Sequence, residues 1–484
     1  MWIEIGYTHS KLVRCTDDER GWLSEYLSFS DANGRFNGRG ADAKIHMLNP
    51  FNRSFPTGYI PLLEKRAPED GFEIQFSDVR KRPCTQDATA DLSWLRDYQL
   101  RGVQIAIDKT RGILWCPTGS GKTEIAIGLS LALPCKWLLL VHRSSLMEQA
   151  AARYELRTHR QAGRIGEGMW NVPDDCNFIS ATFQTMSAKI QRKDARALEL
   201  LGNVQGLLCD ELHVLPAQSF WAVAMACPAY YRFGMSGTPL ARGDKRSVFS
   251  IAATGPVIYR IRTESLINMG VLAKPRVHMI EMQHSVPQKD AWQAVYRASV
   301  VQNKQRNAVL LQIIKRAAHP GFVFFKEIAH GHMIEKMLWQ YGIKTAFVHG
   351  KHSTAERMRL VRDLVAGRLN VLLCSVVFQE GLDVPELRSI VNASGGLSII
   401  GQLQKIGRGM RVHRDQAGNV LPGGNEFEVW DIADYGCGCT KQHAGDDPLQ
   451  RPHSGCVWLE KHTRARLHTY TQEGYETIVE QMVV

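Results

Sequence analysis

The run Cys116-Pro-Thr-Gly-Ser-Gly-Lys-Thr123 limits what this chain can fold into more than any other stretch. It follows the apolar Ile113-Leu-Trp115 and precedes Glu124-Ile-Ala-Ile-Gly-Leu-Ser-Leu-Ala-Leu133, whose apolar residues fall at helical spacing. A strand, a glycine-rich turn and a helix in immediate succession form a phosphate cradle. Gly119 and Gly121 let backbone N–H groups turn inward around a phosphate, with Thr118 and Ser120 between and before them. The helix N-terminus adds its partial positive charge. Lys122 can reach β- and γ-phosphates, and the Thr123 hydroxyl can ligate Mg²⁺. Cys116 stands where the pattern has its first glycine, and at a strand end a small residue should serve.

Such a cradle needs a parallel α/β domain around it, and the chain is long enough for more than one. Its 484 residues suggest about three domains of roughly 150 residues. No run of 18 apolar residues exists and the first residues lack a basic-then-apolar order, so neither a membrane span nor a signal peptide is expected. The eleven cysteines are scattered, with Cys209 and Cys374 inside apolar runs, which fits reduced buried thiols in a bacterial or phage-infected cytosol. The net charge of +11 is uneven: residues 1–90 carry 12 Lys+Arg against 13 Asp+Glu, the remainder 47 against 35. Positive charge concentrated on the larger part favours a polyanionic partner, nucleic acid first, over a merely basic soluble enzyme.

In chain order, residues 1–90 read as a small α+β module: a strand at Trp2–Ile5, a helix from Asp17, a glycine- and arginine-rich loop at 31–40, and a closing Arg80-Lys-Arg-Pro83. Residues 91–262 alternate apolar strands with amphipathic helices, with strands at 113–116, 137–141, 177–181 and 206–210. After a joining segment over 262–300, the alternation restarts and runs to 433, with strands at 322–325, 345–348, 371–374, 389–392 and 427–431. This second sheet, in domain 263–433, has no phosphate cradle. Residues 434–484 form a short C-terminal extension with an irregular Cys/His-bearing stretch and a helix.

The second chemical signal is Leu207-Leu-Cys-Asp210-Glu211-Leu-His213, an apolar strand ending in two carboxylates. Neighbouring carboxylates repel unless a cation sits between them. Asp210 then serves Mg²⁺ and Glu211 polarises an attacking water. The third is Gln404-Lys-Ile-Gly-Arg-Gly-Met-Arg411, where the spacing of three puts Arg408 and Arg411 on one helical face. Arginines of a second domain aimed at a γ-phosphate stabilise its transition-state charge.

Taken together, these strings resemble the motif set of superfamily 2 helicases over about residues 92–433. That resemblance implies two tandem RecA-like parallel-sheet domains that use ATP and Mg²⁺. It implies that Leu95-Arg-Asp-Tyr-Gln99 reads adenine, through Arg96, Tyr98 and Gln99, and that Arg143, Thr182 and Gln184 contact a nucleic-acid strand. Ser236-Gly-Thr-Pro239 resembles the motif that links hydrolysis to domain movement, with His213, Ser236 and Thr238 as coupling residues. In the second domain, Phe322–Phe325 and Val348-His349-Gly350 resemble the next motifs. Ser375 to Asp383 resembles another, implying DNA contact at His349, Gly350 and Ser375 and nucleotide contact at Gly381 and Asp383. Gln404, Arg408 and Arg411 join Lys122 and Glu211 as the catalytic set. The Arg-x-Tyr-Gln and Asp-Glu-x-His strings, with Asn303-Lys-Gln-Arg-Asn307, resemble the DNA-remodelling branch of UvsW-, RecG- and XPB-like enzymes. The likeness is nearest to the phage UvsW-type recombination helicases, and it carries over to the N-terminal module, where it implies duplex-DNA binding.

That branch implies a motor on forked or otherwise branched DNA: fork reversal, junction migration and R-loop unwinding by a monomer. The competing readings are an RNA helicase, a duplex translocase serving a restriction or defence complex, and a scaffold that does not hydrolyse ATP. Cys437, Cys439, His443 and Cys456 offer donors for a Zn²⁺, although a plain Cys/His-bearing loop is the expected state. Of the eleven tryptophans, strand residues such as Trp115 and Trp137 are expected to be core rather than base-stacking platforms.

Overall fold

The computed structural model describes residues 1–30, 44–83, 90–215, 217–239, 247–283, 292–375, 384, 387–396, 401, 406–407, 409–413, 419–421, 424–435 and 454–482. The chain divides into two compact units, with the main boundary between Ile261 and Arg262.

The first unit holds a small sheet and a large one. The small sheet has the spatial order Ser54–Pro56, His9–Arg14, Trp2–Ile5, Gln75–Asp78, the last pair being parallel. The sequence Gly71–Phe76 reads as a strand, and the structure places that strand later, over Gln75–Asp78. Alternation in these strands turns Ile3, Ile5, Leu12 and Phe55 inward, where the helices Asp17–Tyr26 and Ile60–Glu69 cover them with Leu23 and Leu63. The first helix is fixed at its start by a reciprocal cap: Thr16 Oγ1 accepts from Glu19 N and the Glu19 carboxylate accepts from Thr16 N. This module packs on the larger domain. Tyr59 donates its hydroxyl hydrogen to Val248 O at 3.0 Å. A Cβ at Gly58 would lie 2.0 Å from Ile251 O, so only glycine permits that approach.

The large sheet has eight strands in the order Met169–Asn171, Gly163–Gly166, Phe178–Thr182, Trp137–Val141, Gly206–Asp210, Tyr231–Ser236, Arg111–Trp115 and Val257–Arg260. All its pairings are parallel except that of Met169–Asn171. Strands with both faces covered read as continuous apolar runs, which is why Trp137–Val141 and Gly206–Asp210 are legible in the sequence. Tyr231–Ser236 is the central strand that the sequence hides, because it contains an arginine and a glycine. Arg232 is nevertheless fully buried, its guanidinium donating to the carbonyls of Ala224, Cys227 and Ala253.

The second unit is built on a seven-stranded, wholly parallel sheet in the order Thr345–Val348, Val371–Ser375, Gly321–Phe325, Ser389–Asn392, Glu426–Tyr435, Lys274–Gln283, Glu476–Gln481. Two of these strands differ from expectation. Lys274–Gln283 lies in the stretch read as a joining segment, since its Lys, Arg, His and Glu mask the strand pattern. Those charges are met by the neighbouring strand: Lys274 Nζ is 2.6 Å from Glu476 and His278 Nδ1 2.7 Å from Glu480. Glu426–Tyr435 runs across the boundary expected at 433, and the helix Ser454–Gln472 and strand Glu476–Gln481 complete the same domain.

Candidate active site

The sheet order explains where the site forms. The strands Gly206–Asp210 and Arg111–Trp115 flank Tyr231–Ser236, in register through Asp210↔Met235 and Ser236↔Trp115. Their carboxyl ends therefore open at one edge, the place where ligands bind in parallel α/β sheets. Cys116 N donates to Ser236 O at 3.1 Å and Trp115 Nε1 to Gly237 O at 2.8 Å, so the phosphate turn hangs from the loop after the central strand. Cys116 is fully buried and its thiol is pushed up to about 12 by that burial. The positive φ angles of the turn fall on Gly119 (+84°) and Gly121 (+77°), not on Cys116, so the missing first glycine costs nothing in backbone strain. Lys122 and Thr123 open the helix Lys122–Ala132, whose N-terminal N–H groups face the turn.

Gln99 sits against this turn. Its Oε1 accepts from Arg96 N at 3.0 Å, and its Nε2 lies where a Cβ on Gly121 would be, at 2.4 Å. Tyr98, beside it, is buried with its hydroxyl pKa raised by that burial, and its carbonyl accepts from Tyr259 Oη at 2.7 Å. Arg96 is exposed at the start of the helix Asp97–Lys109.

The carboxylates form one electrostatic unit. Lys122 Nζ is 4.0 Å from Glu211 Oε1, and His213 Nδ1 is 3.3 Å from Glu211 Oε2. Burial works to raise the Glu211 carboxyl, but Lys122, the His213 hydrogen bond and the charge of His142 together hold it below the usual carboxylate range. Asp210 moves the other way: burial and the Glu211 charge raise it above the ordinary aspartate value, and Lys122 offsets them only in part. Among the described residues Asp210 Oδ1 is buried without a hydrogen-bond partner. A buried, unpartnered carboxylate oxygen beside a second carboxylate fits a divalent cation. Glu211 adopts a left-handed backbone at φ +48°, which costs a non-glycine residue about 1–3 kcal/mol and persists only where surroundings enforce it. From Glu211 a polar chain continues: His213 Nδ1 is 3.2 Å from Ser236 Oγ, which accepts from Thr238 N at 3.1 Å.

Two comparisons with known proteins cover both units. Residues 88–241 match the family described as type III restriction enzyme, res subunit, and residues 305–413 match the helicase conserved C-terminal domain. The ATP-dependent DNA helicase uvsW of Enterobacteria phage T4 is 22% identical over 508 aligned positions, covering 96% of each chain. The chain belongs to the superfamily 2 helicases. It is an ATP-dependent helicase related to UvsW. A helicase-named protein of Sulfolobus islandicus filamentous virus is 26% identical over 351 residues; the match spans 66% of this chain and 62% of that relative. Among solved structures, the ATP-dependent Type ISP restriction-modification enzyme LlaBIII bound to DNA shares the fold at a TM-score of 0.56, with 15% identity, 80% of this chain and 31% of that one.

The remaining residues expected of this helicase fall into three groups. Thr182 and Val141 are paired neighbours, so Arg143 and Gln184, which follow them, emerge side by side at the carboxyl edge of the first sheet. Gln184 Nε2 donates to His142 O at 2.9 Å, whereas the Thr182 hydroxyl is turned inward onto Thr185 at 2.9 Å. In the second unit, His349 and Gly350 follow the strand Thr345–Val348, and Ser375 ends the adjacent strand, its hydroxyl buried and without a partner among the described residues. His349 stacks edge-on with His352 and His332, and burial followed by those neighbouring histidines lowers its pKa. Arg411 is exposed and bridges to Leu272 through its backbone. Gln404, Arg408, Gly381 and Asp383 lie outside the described residues, as do Cys437, Cys439, His443 and the side chain of Cys456.

Some features only the structure reveals. Arg80 is forked onto Asp78 at 2.8 Å through both Nε and Nη2 and stacks over Tyr230, so this member of the basic run anchors the N-terminal module. Glu124, next to Thr123, is buried and paired with Arg153 and Arg157, and Arg157 stacks on Trp94. Trp137 is fully buried in an aromatic stack with Tyr231 and Phe233, as core rather than platform. Among the described residues no helix is long and apolar enough to cross a membrane.

Proposed function

We propose that this helicase is a DNA motor that remodels forks and other branched junctions. The observation that carries the reading is the end-to-end match, N-terminal module included, to a relative named as a DNA helicase. The motif strings Asp210-Glu-Leu-His213 and Arg96-Asp-Tyr-Gln99 support it by their likeness to the DNA-remodelling branch. In this reading the turn 118–123 holds the phosphates of ATP and Gln99 helps read its base. Thr123 and Asp210 hold Mg²⁺, which neutralises charge on the phosphates when bound. Glu211, kept ionised by Lys122 and His213, takes a proton from the attacking water. The chain from Glu211 through His213 to Ser236 and Thr238 reports hydrolysis to the loop after the central strand. Arg408 and Arg411 supply the second unit's charge to the γ-phosphate. Contacts by Arg143, Gln184, His349 and Gly350 fall on a strand's backbone, so binding is sequence-tolerant and weakens steeply with salt.

The restriction-enzyme family match over 88–241 favours a second reading, a duplex translocase working within a larger complex. Steady-state ATPase rates on length-matched single strand, duplex, fork, four-way junction and RNA separate the two. Strongest stimulation by fork or junction, with strand displacement, is expected. Equal stimulation by plain duplex without displacement would establish the translocase, and stimulation by RNA alone would refute both.

A further inference from the structure

The buried carboxylate of Glu124 stands next to Thr123, in the first turn of the helix Lys122–Ala132. Its partners come from the helix Ser144–Thr158. Arg153 Nε donates to Glu124 Oε1. Arg157 forks onto both oxygens, Nε to Oε2 at 3.1 Å and Nη2 to Oε1 at 3.3 Å. The Arg157 guanidinium has a second contact: its face lies over the Trp94 ring, 4.7 Å from the centroid. Trp94, Glu124 and Arg157 all belong to the first unit.

Trp94 opens the segment that carries Gln99, and its indole Nε1 donates to Asp91 O at 3.1 Å. This segment meets the helix Lys122–Ala132 at two further places. Leu95 is buried against Gly128, where a Cβ would lie 2.8 Å from Leu95 Cδ1. Gln99 Nε2 lies 2.4 Å from where a Cβ on Gly121 would be. The Leu95 contact is apolar and has no direction, so it permits sliding along the helix. The Arg157 contact is directional, because a planar guanidinium offers an edge to the carboxylate and a face to the ring together. Arg157 therefore fixes where the segment 94–99 lies along the helix, and with it how far the Gln99 amide stands from Lys122 and Thr123. A glutamine amide accepts from the exocyclic amine of adenine and donates to N7, whereas guanine turns a carbonyl toward the same acceptor. Discrimination between the two bases then depends on the spacing that Arg157 holds.

We propose that Arg157, clamped between Glu124 and Trp94, is a positioning residue that sets the preference for an adenine over a guanine nucleotide. The proposal rests on the reading of Gln99 as the base-side contact. Arg157 acts in it through the segment 94–99 and touches no nucleotide.

The test measures steady-state hydrolysis of ATP and of GTP by the full chain with saturating single-stranded DNA. Its readout is the ATP-to-GTP ratio of kcat/KM. Arg157→Lys keeps a charge beside Glu124 and loses both fork and flat face, and is expected to lower the ratio about 3- to 30-fold, the range of a guanidinium–ring stack. The loss should fall on KM for ATP, with kcat at saturating ATP within about threefold of wild type. Trp94→Leu should lower the ratio likewise, and adding it to Arg157→Lys should cost less than about twofold more, since both break one contact. A pin with a purely structural role would slow both nucleotides alike, so a ratio within about twofold of wild type in Arg157→Lys overturns the proposal. An equal fall in Arg153→Lys also overturns it, because loosening Glu124 would then suffice. Should Arg157→Lys fail to fold, Trp94→Leu decides, and a wild-type ratio there overturns the clamp. Gln99→Ala tests the underlying reading. Loss of the preference there with a wild-type ratio in Arg157→Lys removes the positioning role alone. An unchanged preference in Gln99→Ala, or none in the wild type, removes base reading by Gln99, and the proposal falls with it.

Discussion

Gly121→Ala probes the tie between the adenine-side glutamine and the phosphate turn. An alanine at φ +77° pays about 1–2 kcal/mol for a left-handed backbone. Its Cβ would also sit 2.4 Å from Gln99 Nε2, so the amide must move. Moving it breaks the 3.0 Å bond from Arg96 N to Gln99 Oε1, worth about 1 kcal/mol. The sum, about 2–3 kcal/mol against the binding conformation, corresponds to roughly 30- to 150-fold weaker nucleotide binding. Titration of a fluorescent ATP analogue with Mg²⁺ measures it directly. Because the clash needs both side chains, the pair Gly121→Ala and Gln99→Ala should be non-additive by about 1 kcal/mol, with the double variant less impaired than the sum. Affinity within about threefold of wild type in Gly121→Ala, or strict additivity, would refute the reasoning.

The carboxylates give three further expectations. Glu211→Gln should leave nucleotide binding intact and lower kcat by about 10²–10⁴, the usual share of a general base; ATPase turnover that survives unchanged would remove Glu211 from that role. The raised Asp210 favours the folded state below the ordinary aspartate pKa, and that contribution is lost as pH rises through the raised value. At pH 7 the raised Asp210 carboxyl is therefore a cost to the folded state, so Asp210→Asn should raise the ligand-free Tm by a few degrees while lowering ATPase activity; an unchanged or lower Tm contradicts the charge argument. Glu211, held low, keeps its stabilising share above the ordinary glutamate pKa and loses it only as pH falls through its depressed value, so Glu211→Gln should not alter the pH dependence of Tm between pH 7 and 5. In the core of the same sheet, Arg232→Met strands three carbonyls that now share one guanidinium, and should cost about 3–5 kcal/mol in denaturant unfolding; a loss under about 1 kcal/mol would mean the strand repacks.

The sequence by itself determined the local chemistry and the architecture class. The string 116–123 dictates a strand, a turn and a helix because its glycines, lysine and threonine act through their own backbone and nearest neighbours. Apolar runs such as Trp137–Val141 and Val371–Ser375 declare buried parallel strands because both their faces are covered. Cys116 was legible as a tolerable substitute for the same local reason. Only the tertiary structure decided what depends on partners distant in sequence. Tyr231–Ser236 lies between the two motif strands because Arg232 finds three carbonyls in its core, a satisfaction no window of sequence contains. Lys274–Gln283 becomes a strand because Glu476 and Glu480, some 200 residues on, accept its charges. Gln99 meets Gly121, Glu211 is forced left-handed, and Arg80 is drawn onto Tyr230 through folding alone. Arg466 reads as one more basic residue on a C-terminal helix until the fold buries it against Asp431 and the Gly396 carbonyl. Burying a charge is affordable only where specific acceptors have already been assembled, and that assembly exists in three dimensions, not along the chain.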